Sequence, residues 1–177
     1  MLTEDGDVVD LSECQLVSIP EAIYHLMRNT VILNCNLSSN VLRKIPAIFA
    51  MKFLSITELN LSNNRLSTLP DEFQDFTELT KLDLSGNSFF MMPKVVFKLP
   101  NLTHLDLHKN YIGTLEVNKL KSCPKLEEIN FEDNPLSPAV RRELQDLQLS
   151  GIKIRLSPPD EDDDLDLEFD PSPPREY

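Results

Sequence analysis

The chain has 177 residues, of which 41% are hydrophobic, and a formal net charge of −12. That length suits one domain with a continuous core, and no apolar run is long enough to cross a bilayer. The acidic first ten residues lack the basic and apolar segments of a secretory signal. We therefore expect an intracellular protein, cytoplasmic rather than nuclear, with no membrane partner. Without a basic stripe, nucleic acid is not expected as a partner either.

The three cysteines are Cys14, Cys35 and Cys123, an odd and scattered set without a CxxC pair. This spacing is unlike that of a disulfide framework or a zinc site. We expect reduced structural thiols, and we expect neither a metal nor a cofactor.

Six similar units follow one another along the chain. The clearest, at residues 56–70, reads ITELNLSNNRLSTLP, and we number its positions from Ile56 as position 1. Apolar residues then fall at positions 1, 4, 6, 11 and 14, and Asn falls at position 9. A repeat of this length predicts stacked units that share one core. The position-9 residues, 23 to 26 residues apart, are Cys14, Asn40, Asn64, Asn87, Asn110 and Asn134.

Each unit predicts one strand followed by a sharp bend. Positions 3 to 8 alternate, so positions 4 and 6 should face the core while positions 3, 5 and 7 face the other side. Backbone groups buried in the bend would cost about 1–3 kcal/mol each if unpaired, and an Asn amide both donates and accepts. Because Cys14 can do this only weakly, we expect the first unit to be the loosest.

A short helical segment is predicted after each bend. Pro20, Pro46, Pro70 and Pro93 follow position 14, and proline suits the first helical position. The fifth unit has Glu116 there instead, so its return segment should differ. The residues expected to close the core from the outer side are Ile23, Phe49, Phe73, Phe76, Phe97 and Leu99.

The end of the repeat region predicts a helix and a last edge strand. Ser137 is a suitable N-cap, and Val140, Leu144 and Leu147 fall on one helical face. Residues 152–156 alternate, with two cations that would guard an exposed sheet edge.

The chain then changes character. Residues 158–177 contain nine acidic residues and one arginine, a charge of −8, together with several prolines. Such a composition predicts a solvated, disordered tail. We therefore expect one domain of six units over residues 1–157, capped by the helix and strand described above.

The motif LxxLxLxxNxLxxLP, as it stands at residues 56–70, resembles the leucine-rich-repeat family, specifically its intracellular class with LP after the turn. The resemblance covers about residues 6–157. It implies an α/β leucine-rich-repeat solenoid that is curved, with a parallel sheet on the concave face and short helices and turns on the convex face. It also implies protein binding at the concave face.

Positions 3, 5, 7, 8 and 10 should project from that concave face. Their side chains are polar with an acidic excess, which favours a basic or mixed protein partner by complementarity. We expect a monomeric adaptor or scaffold. The candidate partner-binding residues are Asn36, Asn60, Ser62, Arg65, Lys81, Asp83, Ser85, His104, Asp106, His108, Lys109, Tyr111, Asn130 and Glu132.

Two other functions have some support in the sequence. Ser85, Asp106 and His108 have the residue types of a nucleophilic triad, but they arise from repeat columns open to water, and nothing supplies an oxyanion site. We therefore expect no enzymatic activity. The alternative function is an acidic binder of histones or other basic proteins, resembling the acidic leucine-rich nuclear phosphoproteins, in which the tail carries the binding.

Overall fold

The computed structural model describes residues 7–148 and 151–158, which form one open parallel sheet. Its seven strands lie in chain order, each beside its sequence neighbours. Within the described ranges, no helix combines the length and the apolarity needed to span a bilayer. The strands are β1 (Asp7–Asp10), β2 (Ile32–Asn36), β3 (Glu58–Asn60), β4 (Lys81–Asp83), β5 (His104–Asp106), β6 (Glu128–Asn130) and β7 (Lys153–Arg155).

Short helical segments connect the strands on the opposite side. These are α1 (Ala22–Leu26), α2 (Ala47–Lys52), 3₁₀ helices at Asp71–Asp75 and Lys94–Lys98, α3 (Val117–Leu120) and α4 (Pro138–Gln148). Strand, bend and return segment together make one coil, and successive coils stack. The predicted solenoid architecture is confirmed.

The strands pair position for position, which aligns the repeat in space. Leu59 lies opposite Leu82, and Leu82 lies opposite Leu105. Position-4 side chains therefore form one buried row in a continuous core, while positions 3 and 5 form rows on the other face. The predicted strand alternation is confirmed.

The marker asparagines join neighbouring coils. The Nδ2 of Asn87 donates to the carbonyl oxygens of Leu61 at 2.9 Å, Leu84 at 3.0 Å and Ser85 at 3.2 Å, and its Oδ1 accepts from the Leu66 N–H at 2.9 Å. Leu61 and Leu66 belong to the preceding coil, so one buried amide serves two coils. The equivalent residues Asn40, Asn64, Asn110 and Asn134 bond in the same way.

The bend of the first coil is satisfied by a residue of the second. Cys14 is exposed, and its Sγ lies 3.1 Å from the carbonyl oxygen of Ser12. The Nδ2 of Asn40 donates to the Leu11 carbonyl at 2.8 Å, and its Oδ1 accepts from the Leu16 N–H at 2.9 Å. These groups do not depend on Cys14, because each amide reaches backward along the chain. That the first unit is the loosest stays a prediction.

The bend itself begins with a left-handed residue at position 8. One of these is Gly86, with φ of 61°, and a Cβ built there would lie 2.5 Å from Oδ1 of Asn63. The left-handed backbone ends the strand and sends the chain sideways. The other position-8 residues, with φ between 52° and 56°, are Glu13, Ser39, Asn63, Lys109 and Asp133.

The prolines precede the helical segments rather than opening them. Pro46, Pro70 and Pro93 are N-cap residues with extended backbone, and α1 begins two residues after Pro20. The predicted position is therefore wrong by one residue, or by two at Pro20. A proline before the helix still blocks its extension toward the bend, since it fixes φ and lacks an N–H.

Aromatic side chains close the core behind the sheet, as predicted, with one exception. Phe49, Phe73 and Phe76 are fully buried, and the Phe73 and Phe76 rings meet edge to face at 5.0 Å. Phe97 is only partly buried, because Val96 of the same 3₁₀ helix takes the core position. The fifth return segment differs as expected, forming α3.

The C-terminal cap is as predicted. Helix α4 buries Val140, Leu144 and Leu147, and the Ser137 Oγ accepts the Val140 N–H at 3.4 Å. Strand β7 pairs with β6 and exposes its two cations. The predicted disordered tail lies outside the described residues, apart from Pro158.

Candidate functional site

The face of the sheet opposite the core forms a groove. Its volume is about 420 Å³, and the floor consists of position-3 and position-5 side chains from neighbouring strands. We call this surface the groove and define it by its polar and charged lining residues, which are Asn34, Asn36, Glu58, Asn60, Lys81, Asp83, His104, Asp106, Glu128, Asn130 and Arg155.

The position-5 residues each hold the bend that follows their strand. Oδ1 of Asp83 accepts the Ser85 N–H at 2.9 Å, and Oδ1 of Asp106 accepts the His108 N–H at 2.8 Å. This turn favours Asp and Asn because a short side-chain oxygen reaches the backbone two residues on. The same bond is made by Asp10, Asn36, Asn60 and Asn130.

These turns leave carboxylates on the groove floor. Asp83 and Asp106 lie directly opposite each other on β4 and β5, between Asn60 of β3 and Asn130 of β6. One oxygen of each is committed to its turn, and the Oδ2 of Asp106 also accepts from the Asn130 Nδ2 at 3.3 Å. Two neighbouring carboxylates flanked by amides form a surface that favours a cationic group.

In the first coil, the hydrogen-bonded turn also changes the pKa of its carboxyl. The Ser12 N–H bonded to Asp10 holds the pKa of that carboxyl below its ordinary value. A donor aimed at the ionised form favours that form.

The position-3 row contains ion pairs. Glu58 lies 2.8 Å from Lys81, and Glu128 lies 3.1 Å from Lys153 and 2.6 Å from Arg155. The hydrogen bond from Lys153, helped by the Arg155 charge, lowers the pKa of Glu128. These pairs neutralise much of the row, so the uncompensated negative charge of the groove is concentrated at position 5.

Two histidines lie beside the carboxylates, and the Nδ1 of each contacts a residue other than Ser85. The Nδ1 of His108 lies 2.8 Å from Oδ1 of Asp106, and the Nδ1 of His104 lies 2.8 Å from the Thr103 hydroxyl. Ser85 is buried, with only 4% of its surface exposed, so it is not presented to a substrate.

The predicted partner-binding residues divide between surfaces. Seven line the groove: Asn36, Asn60, Lys81, Asp83, His104, Asp106 and Asn130. At position 7, Ser62 and Ser85 are buried, while His108 and Glu132 are half-buried. The expectation that all of them project to solvent is wrong for Ser62, Ser85 and Asn130, which is also buried, because the bend and the neighbouring strands cover them.

The remaining three, Arg65, Lys109 and Tyr111, lie outside the groove lining. They belong to a second surface, built from positions 8 to 13 of units two to five, residues 39–44, 63–68, 86–91 and 109–114. We call this surface the flank. Arg65, Lys109 and Tyr111 are all exposed there. The alternation of side-chain directions along the strand predicts these three residues on the concave face, but it ends at the left-handed residue of position 8.

Sequence reasoning missed residues on both surfaces. In the groove, the candidate binding residues omit Asn34, Glu58 and Glu128 at position 3, although the strand alternation predicts that position too. They also omit Arg155, which lies opposite Asn130 on β7. On the flank they omit Phe90 and Met91, which are 67% and 68% exposed. No repeat column predicts them, since the other units have different residue types at these positions.

Comparison with known proteins identifies this architecture. Residues 32–89 and 78–136 match the family model described as leucine rich repeat. Leucine-rich repeat-containing protein 20 of Mus musculus is 49% identical over 138 residues, which covers 77% of this chain and 75% of the mouse protein. The Homo sapiens protein of the same name is 39% identical over 69 residues, 38% of either chain.

Solved structures share the fold. A leucine-rich-repeat protein of Leptospira interrogans superposes with a TM-score of 0.67 and 28% identity, covering 79% of this chain and 34% of that one. A chain of the Toll–Spätzle complex of Drosophila gives 0.65 and 28%, covering 78% and 19%. InlP of Listeria monocytogenes gives 0.60 and 28%, covering 72% and 34%. This chain thus spans about a third or less of these proteins.

Proposed function

Because the chain belongs to the leucine-rich repeat family, we propose that it is a non-enzymatic interaction module, an adaptor or scaffold, that binds a protein partner through the groove. Protein binding in general follows from the family. The observation that supports the groove as the site is its uncovered parallel sheet, since parallel sheets outside solenoids are normally covered on both faces.

The charge of the groove suggests the chemistry of the partner. Among the described residues, no lysine or arginine is paired with Asp83 or Asp106, and Asp106 instead contacts the His108 imidazole at 2.8 Å. The position-3 acids, in contrast, are paired with Lys81, Lys153 and Arg155. A partner that places an arginine or lysine over this pair of carboxylates would gain charge-assisted hydrogen bonds. We therefore propose a basic or mixed partner surface.

A substitution that removes charge without disturbing the turn tests this proposal. Asn36, Asn60 and Asn130 make the same turn bond as the two aspartates, so Asp83→Asn with Asp106→Asn should keep the fold. Affinity capture from cells with this double variant should no longer recover the partners that the wild type recovers. The matched control removes two exposed acids elsewhere, Asp75→Asn with Glu78→Gln, and should keep those partners. Equal capture by all three proteins would reject the groove as the binding site.

The alternative function, an acidic binder of basic proteins, stays a prediction. The residues that suggest it are those of the acidic tail, which lies outside the described residues. If it holds, replacing the acids of residues 160–170 by Asn and Gln should abolish binding to histones, and the groove double variant should leave that binding intact.

A further inference from the structure

The flank differs in charge from the rest of this acidic protein. Its 24 positions contain four cations and no carboxylate, in a chain with 29 acidic residues and a net charge of −12. All four cations are exposed, and they lie on units two, three and five, to either side of an apolar fourth unit. These cations are Arg43, Lys44, Arg65 and Lys109.

The centre of the flank is apolar and aromatic. Phe90 and Tyr111 stack at 5.5 Å with an interplanar angle of 22°, and they are 67% and 56% exposed. Met91 beside them is 68% exposed. A contiguous exposed apolar patch of this kind marks an interaction surface.

A second groove, of about 770 Å³, adjoins this patch. Phe90 and Met91 form part of its wall, together with the partly buried Leu69, Phe97 and Leu115. This cavity offers apolar side chains a place to bury next to the cations of the flank.

Three charged residues also line this second groove. Lys94 and Asp71 oppose each other in sign, and Glu116 is held by Lys119 at 2.7 Å. The charges of this lining therefore nearly cancel, and the four cations of the flank make the net charge of the whole surface positive.

The described chain ends beside the flank. The Ser157 hydroxyl accepts the Asp133 N–H at 2.6 Å, and Arg141 Nη1 donates to the Ser157 carbonyl at 2.8 Å. Asp133 is the position-8 residue of unit six, directly next in the row to Lys109 of unit five. Ser157 follows β7, the strand beside β6, so residues after Pro158 start two coils away from unit five of the flank.

We propose that residues 160–170 of the same chain dock on the flank. Leu165, Leu167 and Phe169 would lie against the second groove and the Phe90–Tyr111 stack. This segment reads DEDDDLDLEFD, with eight carboxylates to complement the four cations. Its three apolar residues alternate with acids, so in an extended conformation they share one side.

The distance is compatible with an intramolecular contact. Leu165 comes seven positions after Pro158, a reach of up to about 23 Å when extended. Pro158 follows β7, which lies three strand spacings from β4 of unit four, about 14 Å. A short tether also gives an effective concentration on the order of millimolar, so even a weak contact would be occupied.

A spin label on the tail tests this proposal in the full chain. The labelled protein carries Cys14→Ser, which removes the exposed thiol, and Ser172→Cys, which holds a nitroxide two residues after Asp170. Amide signals of Phe90, Met91 and Tyr111 should lose more than half of their intensity at low salt. They should recover at roughly 1 M salt, where the Debye length falls to about 3 Å.

Two variants separate specific docking from general proximity. Leu167→Ser with Phe169→Ser should restore the three signals, whereas Leu54→Ser, which removes an exposed apolar residue outside the flank, should leave the loss unchanged. Loss confined to residues 151–158, or loss centred on His104 and Asp106 of the first groove, would overturn the proposal. Loss transferred from a spin-labelled copy to an unlabelled, ¹⁵N-enriched copy would also overturn it, because a second molecule would then be the occupant.

Discussion

The equivalent backbone carbonyl of the bend accepts from one asparagine side chain in the first coil and from two in the third coil. The Leu61 carbonyl of the third coil accepts from Asn64 at 3.1 Å and from Asn87 at 2.9 Å. The Leu11 carbonyl of the first coil accepts from Asn40 at 2.8 Å, while Cys14 lies exposed. Each asparagine therefore bridges two coils, and we call this contact a joint. In the first unit the exposed Cys14 takes the asparagine position, and the bend there is satisfied from the second coil.

Removing a central joint should have the largest effect. Asn87→Ala leaves the buried Leu66 N–H without a partner and removes one of two hydrogen bonds from each of the Leu61, Leu84 and Ser85 carbonyls. Since an unsatisfied buried group costs about 1–3 kcal/mol and each lost hydrogen bond about 0.5–1.5 kcal/mol, the free energy of unfolding should fall by about 3 kcal/mol or more. Urea denaturation measures it. The control Asn118→Ala, at an exposed site, should change it by less than about 0.5 kcal/mol.

The joint below the first coil should matter less. Asn40→Ala exposes Leu11 and Leu16 backbone groups that are already partly accessible, so water can replace the amide. We expect a loss of about 1 kcal/mol in the free energy of unfolding, with faster amide exchange confined to residues 7–16. A loss equal to that of Asn87→Ala would contradict the difference between the two joints.

A buried hydroxyl on the convex side of the first coil should be dispensable. Among the described residues, the side-chain oxygen of Tyr24 is buried without a hydrogen-bond partner, and burial raises its pKa. Tyr24→Phe removes an unsatisfied polar group while keeping the ring against Phe53 at 5.8 Å. The protein should gain about 1 kcal/mol of stability, measured by urea denaturation. A loss of stability would mean that the hydroxyl has a partner in solution.

Changing Cys14 should have the smallest effect on stability. Cys14→Ser should leave the free energy of unfolding within about 0.5 kcal/mol of the wild type, because the side chain is exposed. At pH 8 the native protein should show one fast thiol in a colorimetric disulfide-exchange assay, and this variant should show none. Burial raises the pKa of Cys35 to about 12 and raises that of Cys123, so both stay protonated. Two or three fast thiols in the wild type would contradict this burial pattern.

The repeat predicts the sheet well because each offset has one structural meaning. Positions 4 and 6 face the core, and the amide at position 9 lies in the bend, as the spacing indicates. The capping helix followed from Ser137 and three apolar residues at helical spacing. Local chemistry was enough for these features, since a strand or helix fixes its side-chain directions over a few residues.

Features that depend on two coils or on the bend were not predictable in this way. Asn40 bonds to the preceding coil because of the way the coils stack. The spacing of residues within one unit does not predict which neighbouring coil the side chain contacts. The repeat spacing predicts Tyr111 on the concave face, but this residue follows the left-handed Lys109, after which strand alternation no longer applies. Simple alternation also predicts an exposed Ser85, because it does not include the covering effect of the bend.

The stability of the joints determines whether the sheet can present a rigid groove to a partner. Native-state hydrogen exchange measures it at the N–H groups of Leu42, Leu66, Phe89 and Ile112, which donate to asparagine side chains of the next coil. These amides should exchange only by global unfolding, and the equivalent Leu16 N–H of the first coil should exchange faster. Exchange of the four central amides at the rate of exposed loop amides would contradict the account.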